Sequence, residues 1–430
     1  MTPSTTPTQI ASSARRKAYR HIVLPLFLVS VIAYIDRVNV SYAALTMNAD
    51  LKFGPDTFGF AAGILFAGYL LFGVPGALIA ERFGARAWLS AITVAWGMIS
   101  GLIAFVHTPM QFFVVRFLLG AAEASLYPVA YSAFIPRWFG ARERPLAIAV
   151  LLTSLQVSGI IGAPLAGWLL GVPVLGFKGW QVLFLLEAIP AIALGLALPF
   201  WMADWPQQAR WLNRNEQEFL KQRYEQEVAA KQGGTKPYTV WQAFGDREVL
   251  KLCLIYFFWT TGFWGFNYWM PTILKAVSHW SNSTIGEAFA IAMSISLVVS
   301  ALTGYSSSRT NEKRWHGAGH LFLAAVGIAG GAYTHAPQVY FVFMVLTAIG
   351  VYAPMSVWWS YPTSFLSGSA AAGAVGLINS TGNIGGFVGP YITGWIKQST
   401  GSYLGAMLYL AGSLVIAAGL ILTLRKRLPS

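Results

Sequence analysis

Charge is the scarcest property of this chain. Only 10% of its 430 residues are Asp, Glu, Lys or Arg, against about 25% in a soluble domain, too few to clothe a water-soluble globule. Acids are the rarer sign, 16 against 29 Lys and Arg, for a formal net charge of +13. The basic residues lie in short clusters between apolar runs, without interleaved stacking aromatics, which argues against a nucleic-acid partner. A single cysteine, Cys253, excludes an internal disulfide and a thiolate metal site. Among the six histidines only His316 and His320 stand close together, so neither metal nor cofactor is expected. The apolar segments hold no Ser/His or His/Asp constellation and the chain has no nucleotide-binding loop, which argues against an intramembrane enzyme and a nucleotide-driven pump. What abounds is hydrophobic residues, 56% of the chain, with 15% aromatic. The chain is expected to live in a membrane.

At about 20 apolar residues per spanning helix, the length leaves room for about a dozen spans. Segments long enough to cross run over 21–45, 57–80, 87–106, 110–135, 146–170 and 179–202, then, after a polar stretch, over 249–275, 284–307, 317–334, 338–361, 370–396 and 403–424. Prolines inside them, such as Pro75, Pro164 and Pro390, do not argue against helices, because neighbouring helices re-satisfy freed backbone groups in a membrane bundle. The N-terminus is polar through Ser13, basic from Arg15 to Arg20 and apolar from Ile22, with no small-residue cleavage site, and reads as a retained first helix. The expected fold class is an all-α membrane protein of 12 transmembrane helices in two six-helix pseudo-symmetric halves, 1–202 and 249–430, joined by a linker over 203–248. Acids and bases alternating through the linker predict a surface amphipathic helix tying the halves at the lipid face. Twelve spans with both termini inside place 23 of the 29 Lys and Arg in inner segments and four (Lys52, Lys178, Lys275, Lys397) outside, and the excess holds at 15 to four without the linker. By the positive-inside rule both termini are expected in the cytoplasm.

An internal repeat supports the two halves. One constant shift along the chain carries Gly159, Gly162, Gly167 and Trp168 onto Gly386, Gly389, Gly394 and Trp395, Arg82 onto Arg309, and the amide Gln156 onto the amide Asn383. Parallel repeats of this kind are how alternating-access transporters rock about a midplane site.

Between the second and third spans stands Gly76-Ala77-Leu78-Ile79-Ala80-Glu81-Arg82-Phe83-Gly84-Ala85-Arg86, which resembles the cytoplasmic loop motif of the major facilitator superfamily. Ala77, Glu81 and Ala85 depart from that pattern, and a second copy, Gly304 to Arg314, has Ser308 at its acidic position but keeps Arg309. The resemblance implies a conformational lock at Glu81, Arg82, Arg86 and Arg309. Ile35-Asp36-Arg37-Val38-Asn39, Arg116 to Glu123, Trp138-Phe139 with Arg142 to Arg144, Asp204-Trp205-Pro206, Trp269-Met270-Pro271-Thr272 and Asn379 to Pro390 resemble the anion:cation symporter branch. That likeness implies a monomeric carrier of the inner membrane importing a small organic anion (a sugar acid, a tartrate-like hydroxy acid or another carboxylate) with protons, sodium staying open as the coupling ion. A drug/proton antiporter or uniporter on the same fold, and a channel, are the alternatives.

Ionisable groups at membrane depth cost about 3 kcal/mol each on insertion scales and are functional candidates by default. There are five: Asp36, Arg37, Arg116, Glu123 and Glu187. Arg116 and Glu123, seven residues apart, share a helix face about 10 Å apart along the axis and need partners elsewhere. The repeat shift carries Asp36, Arg37, Arg116 and Glu123 onto Phe263, Trp264, Phe343 and Gly350, so these charges are confined to one half. Arg37 is expected to meet the substrate carboxylate, and Asp36 to pair with Arg116 in at least one state. The resemblance places Asp36, Arg116 and Glu123 at proton-coupling positions. A carboxyl that exchanges an arginine for an apolar cavity during rocking changes its hold on a proton. Arg116 as a helix anchor and Asp36 as a permanent ion-pair partner are the bland alternatives, and Glu187 is expected to bond backbone or a neighbouring helix. Tyr69, Gln156 and Asn383 are the candidates to finish a binding pocket, with Trp359 and Ser360 less central, while Phe263, Trp264 and Phe266 either pack or gate.

Overall fold

A helix satisfies its own backbone hydrogen bonds, which is what a chain in lipid must do, and no strand occurs among the described residues. The computed structural model describes residues 7–232, 245–361 and 369–424; linker positions 233–244 and the basic residues Lys236 and Arg425 to Arg427 counted above lie outside the described residues. The first half comprises α1 (Pro7–Ala18), α2 (Leu24–Leu51), α3 (Pro55–Phe83), α4 (Ala85–Leu102), α5 (Pro109–Glu123), the short α6 (Leu126–Val129) and α7 (Ile135–Trp138), α8 (Arg144–Leu169) and α9 (Gly179–Trp201). The linker carries α10 (Arg214–Gln232). Then come α11 (Arg247–Ser278), α12 (Asn282–Thr310), α13 (Arg314–Tyr333), α14 (Pro337–Tyr352), α15 (Met355–Trp358), α16 (Ser369–Thr400) and α17 (Leu404–Leu422). Long helices thus stand at all twelve expected spans, and ten of those described are both long and apolar enough to cross a membrane. The helices α13 and α16 fall outside that count.

Two spans are interrupted where the sequence predicts continuous helix. The fourth starts at a capping box, in which the Thr108 side chain accepts from the Gln111 backbone, and breaks after Glu123. Pro128 has no N–H to give the carbonyl four residues back, at Ala124. The tenth breaks at Pro354, between α14 and α15. The first of these breaks leaves Glu123 at a helix end facing the centre of the molecule.

The halves meet along α3 against α16 and α8 against α12. Glycine lets the backbones touch. A Cβ on Gly59 would strike the Pro390 carbonyl. The repeat shift makes Gly286 the counterpart of Gly59 and Pro390 that of Ala163, and a Cβ on Gly286 would strike the Ala163 carbonyl. The same shift relates Gly394 against Pro55 to Gly167 against Asn282, and Gly386 against the Phe66 ring to Gly159 against Met293. The offset read in the sequence is therefore a pseudo-twofold relation among contacts, built from the small residues that helix pairs in lipid use for close approach. All three pairs lie toward the end of the bundle away from the termini. At the other end α3 changes character: from Leu70 to Ile79 its exposed positions cover more than half the helix circumference, which a helix seated against a partner half would not show. The bundle is closed at one end and open at the end bearing the termini.

The helix α1 is a departure from the sequence reading, which leaves residues through Ser13 as a polar lead. It is helical because it docks on α10: Ser13 and Lys17 donate to Glu216 at 2.6 and 2.8 Å. Burial would raise the Glu216 carboxyl, but the hydrogen bonds from Lys17, Ser13 and the Asn213 backbone prevail and hold it below the usual range. A helix forms in the linker, but the face it docks is largely charged (Glu216, Arg223, Glu227), and its ion pairs tie it to the first half rather than across the two. Glu143 on the loop before α8 pairs with Arg223 at 3.1 Å, and Arg144 pairs with Glu227.

Candidate functional site

The helix α2 brings four polar side chains to mid-depth and divides them by face. Tyr34 and Arg37, three residues apart, share the face turned to the centre; Asp36 and Asn39 share the adjoining face, turned into the first half. The Arg37 guanidinium lies 4.7 Å from the Tyr34 ring centroid, 4.5 Å from that of Tyr69 and 5.4 Å from that of Trp264. This aromatic cage draws on both halves, and cation–π attraction is strongest when, as here, the cation is desolvated. Arg37 donates through Nη2 to the Tyr69 hydroxyl and to Glu123 Oε2 at 3.4 Å, and Tyr69 donates to the same oxygen at 2.5 Å. Side-chain exposure is 6% for Arg37 and nil for Glu123, which makes theirs the ion pair among the described residues with both partners almost wholly buried. Such a pair costs much desolvation and stays favourable only while each charge keeps its partner. Removing Glu123's charge leaves an uncompensated guanidinium that any incoming anion would satisfy.

Around this triangle stands a wall of aromatics, half-buried at Tyr127, Tyr131, Tyr256 and Trp359 and buried at Tyr34 and Trp358. Tyr127 lies 5.9 Å from Tyr34 and 5.7 Å from Tyr131. From the second half, Tyr256 stacks on Trp358 at 5.4 Å and meets Trp359 edge-on at 5.5 Å.

The other sequence candidates are placed as follows. Asp36 is buried and accepts from Ser100 on α4 at 2.9 Å. Arg116 lies further toward the closed end, where Nε donates to the Ala61 carbonyl at 3.2 Å, and Nη2 to the Arg37 carbonyl at 3.5 Å and the Tyr268 hydroxyl at 3.2 Å. The expected Asp36–Arg116 pair is not formed in this state: α2 turns Asp36 toward α4, while Arg116 reaches across to the second half. Glu187 behaves as expected, accepting from Asn39 at 2.9 Å. Gln156 bridges the halves through Ser300 at 2.8 Å. Asn383 is half-buried beside Gly382, whose missing Cβ makes room for Tyr256. Trp359 stands against Tyr256, and Ser360 donates to the Val357 carbonyl at 2.6 Å within its own turn. Of the lock residues, Arg86 is anchored at the end of α9, through the Pro199 and Met202 carbonyls at 3.1 and 3.3 Å. Arg82 lies over Phe83, Arg309 over Tyr305, and these two with Glu81 are exposed. Nothing described ties these residues across the halves, in keeping with the open end.

Sequence reasoning missed Tyr34 and left Trp264 undecided. Tyr34 carried a usable signal in its three-residue spacing from Arg37. Tyr268, the partner of Arg116, carried none.

A family model described as Major Facilitator Superfamily matches residues 26–390. A protein of Agrobacterium vitis described as a candidate tartrate transporter is 40% identical over 419 residues, covering 96% of this chain and 95% of its own length. A quinolone resistance transporter of Acinetobacter baumannii is 34% identical over 408 residues, covering 94% and 92%. Among solved structures, a bacterial homologue of the human lysosomal transporter Spinster, in an inward-facing and occupied conformation, matches with a TM-score of 0.75 at 18% identity, over 93% of this chain and 95% of that one. That last likeness bears on the fold alone.

Proposed function

The chain belongs to the major facilitator superfamily and is a multi-pass membrane transporter, and on that premise we propose that it imports a small organic anion together with protons by alternating access. The observation that carries this reading is the buried Arg37, whose carboxylate partner is Glu123 and whose remaining surroundings are aromatic.

A proton on Glu123 removes the negative end of the pair. Arg37 then requires an anion, and a substrate carboxylate entering at that moment meets a guanidinium, the Tyr69 hydroxyl and no like charge. Proton and anion therefore load together. With the site filled and neutral, the halves 1–202 and 249–430 rock about it, trading closure at the inner end for the glycine contacts that close the outer one. At the open end Glu123 gives up its proton, returns to Arg37 and displaces the anion; the observed Arg37–Tyr69–Glu123 triangle fits that last stage. Arg116 acts in this scheme as the strut of the closed end, through Tyr268, and Gln156 as a second strut through Ser300. The distribution of basic residues supports cytoplasmic termini, so the open end is the inner one. The relative described as a candidate tartrate transporter favours a hydroxy acid as substrate. No catalytic step is involved, and the carrier works as a monomer of the inner membrane.

A second reading is export of a planar aromatic carboxylate, favoured by the tyrosine and tryptophan wall and by the relative named for quinolone resistance. Proteoliposomes with an inward proton gradient decide between them. Labelled tartrate is expected to accumulate above equilibrium and to leak out when a protonophore is added. Flux that never exceeds equilibrium would indicate a uniporter or channel, and expulsion of a preloaded quinolone as protons enter would indicate the exporter.

A further inference from the structure

The buried charges do not balance. Arg37 meets Glu123, while Asp36 and Glu187 are held by neutral donors and Arg116 by neutral acceptors. Two carboxylates stand against one guanidinium, so one positive charge is missing from the protein's own inventory.

Each of the three buried carboxyls keeps one oxygen without a partner, but Glu187 is the one joined to a carboxamide that also carries an orphaned acceptor. Asn39 Nδ2 donates to Glu187 Oε2 at 2.9 Å, and the second oxygens of both groups, Asn39 Oδ1 and Glu187 Oε1, are buried without a partner. A carboxamide and a carboxyl side by side form two hydrogen bonds, N–H to oxygen and O–H to oxygen, when the carboxyl is protonated. When it is ionised the second contact sets one lone pair against another, and a buried acceptor left unpaired is costly. Only one hydrogen bond joins the two side chains, and a proton on Glu187 Oε1 supplies the donor that both orphaned acceptors lack.

The setting belongs to one polar face. Asp36, Asn39 and Tyr42 follow one another at three-residue spacing along one side of α2, which packs on α9. Asp36 Oδ2 and the Tyr42 hydroxyl are likewise buried without partners. All four residues are at most 5% exposed. The titratable groups facing Glu187 are Asp36 and Tyr42 from α2, with Glu123 and Arg116 on α5 beyond Asp36 and Tyr352 on α14 beyond Tyr42. At this depth α4 and α8 present no charge. Tyr42 also meets Phe289 of α12 edge-on at 6.0 Å, so the face abuts the second half and feels its movement.

We propose that Glu187, clasped by Asn39, is a second proton site of this transporter, separate from Glu123, binding one proton on Oε1 with Asn39 Oδ1 as its acceptor and exchanging it with the medium. The inference rests on the proton-coupled reading for its consequence, a second proton carried with the anion, but its test does not depend on the substrate.

The full chain in lipid is titrated from acid to alkaline solution while infrared difference spectra follow the carbonyl stretch of protonated carboxyls. The expected result is that Glu187→Gln deletes one titrating component and Glu123→Gln a different one. Asn39→Leu, which keeps the carboxyl but removes its partner, shifts the midpoint of the Glu187 component and carries the test alone if Glu187→Gln does not reconstitute. An unchanged band in Glu187→Gln, or an unshifted component in Asn39→Leu, overturns the proposal. A component displaced at constant pH when sodium chloride replaces choline chloride also overturns it, in favour of a sodium site. Failure of the wild type to accumulate tartrate under a proton gradient would sink the transport reading and leave this band in place.

Discussion

The two halves have related backbones and opposite interiors. Where the first half buries Asp36, Arg37, Arg116, Glu123 and Glu187, the repeat-related positions of the second hold Phe263, Trp264, Phe343, Gly350 and Leu414. Their contact surfaces nevertheless match closely, with Gly59 on Pro390 answering to Gly286 on Ala163. The difference teaches that symmetry serves the motion and asymmetry serves the chemistry. In the proposed mechanism, two similar surfaces let the halves pivot, and the single set of charges facing the aromatic wall makes that pivot depend on what is bound.

The largest break in that comparison is to remove charge from the first half. Arg37→Ala should weaken tartrate binding by about 3 kcal/mol, roughly 100-fold, as expected for a charge-assisted hydrogen-bond partner; calorimetry on the purified protein measures it. Next comes the shared surface. Gly59→Leu and Gly286→Leu each place a side chain on a carbonyl of the other half, at a cost of about 2 kcal/mol to the closed end. Because the two sites are equivalent, both should shift spin-label distances across that end toward separation by similar amounts; an effect confined to one would break the symmetry. A smaller effect should come from the second half's share of the cage. Trp264→Leu forfeits a cation–π contact of about 1 kcal/mol and should weaken tartrate binding several-fold while leaving proton coupling intact, as read by uptake with and without a pH gradient. The smallest lies outside both interiors. Lys17→Met should loosen α1 from α10 by less than about 1 kcal/mol, because Lys17 is partly solvated, and limited proteolysis of the N-terminus should detect it. Glu216 holds its proton less tightly in the docked state than when free. Its contribution is therefore complete above the free carboxyl range and is lost as pH falls through the lower, docked range, so acid should release α1 in the wild type and do little in Lys17→Met.

The spans were legible because runs of about 20 apolar residues have few alternatives to a membrane helix, and the repeat because Trp, Arg and an amide recur with the glycines at one shift. The break after Glu123 was less so: Pro128 was visible, but whether a proline kinks a helix or interrupts it depends on its neighbours. The helix α1 was hidden because its stability comes from Glu216, far along the chain in the linker. Within the site, Arg37, Tyr69 and Glu123 were named from their chemistry at membrane depth. The pairing of Asp36 was not readable, since consecutive residues on a helix point about 100° apart and only the packing of α2 decides which one faces the centre. Trp264 was lost in a chain so rich in aromatics that a single ring carries little information.

The central claim is that Glu123 links the anion to the proton. Proteoliposomes loaded with a pH-sensitive dye, clamped electrically with potassium and valinomycin and given external tartrate without a proton gradient, test it most directly. The account predicts that the lumen acidifies as tartrate enters through the wild type, and that Glu123→Gln exchanges tartrate for tartrate without any acidification. Equal acidification by the wild type and Glu123→Gln would contradict it.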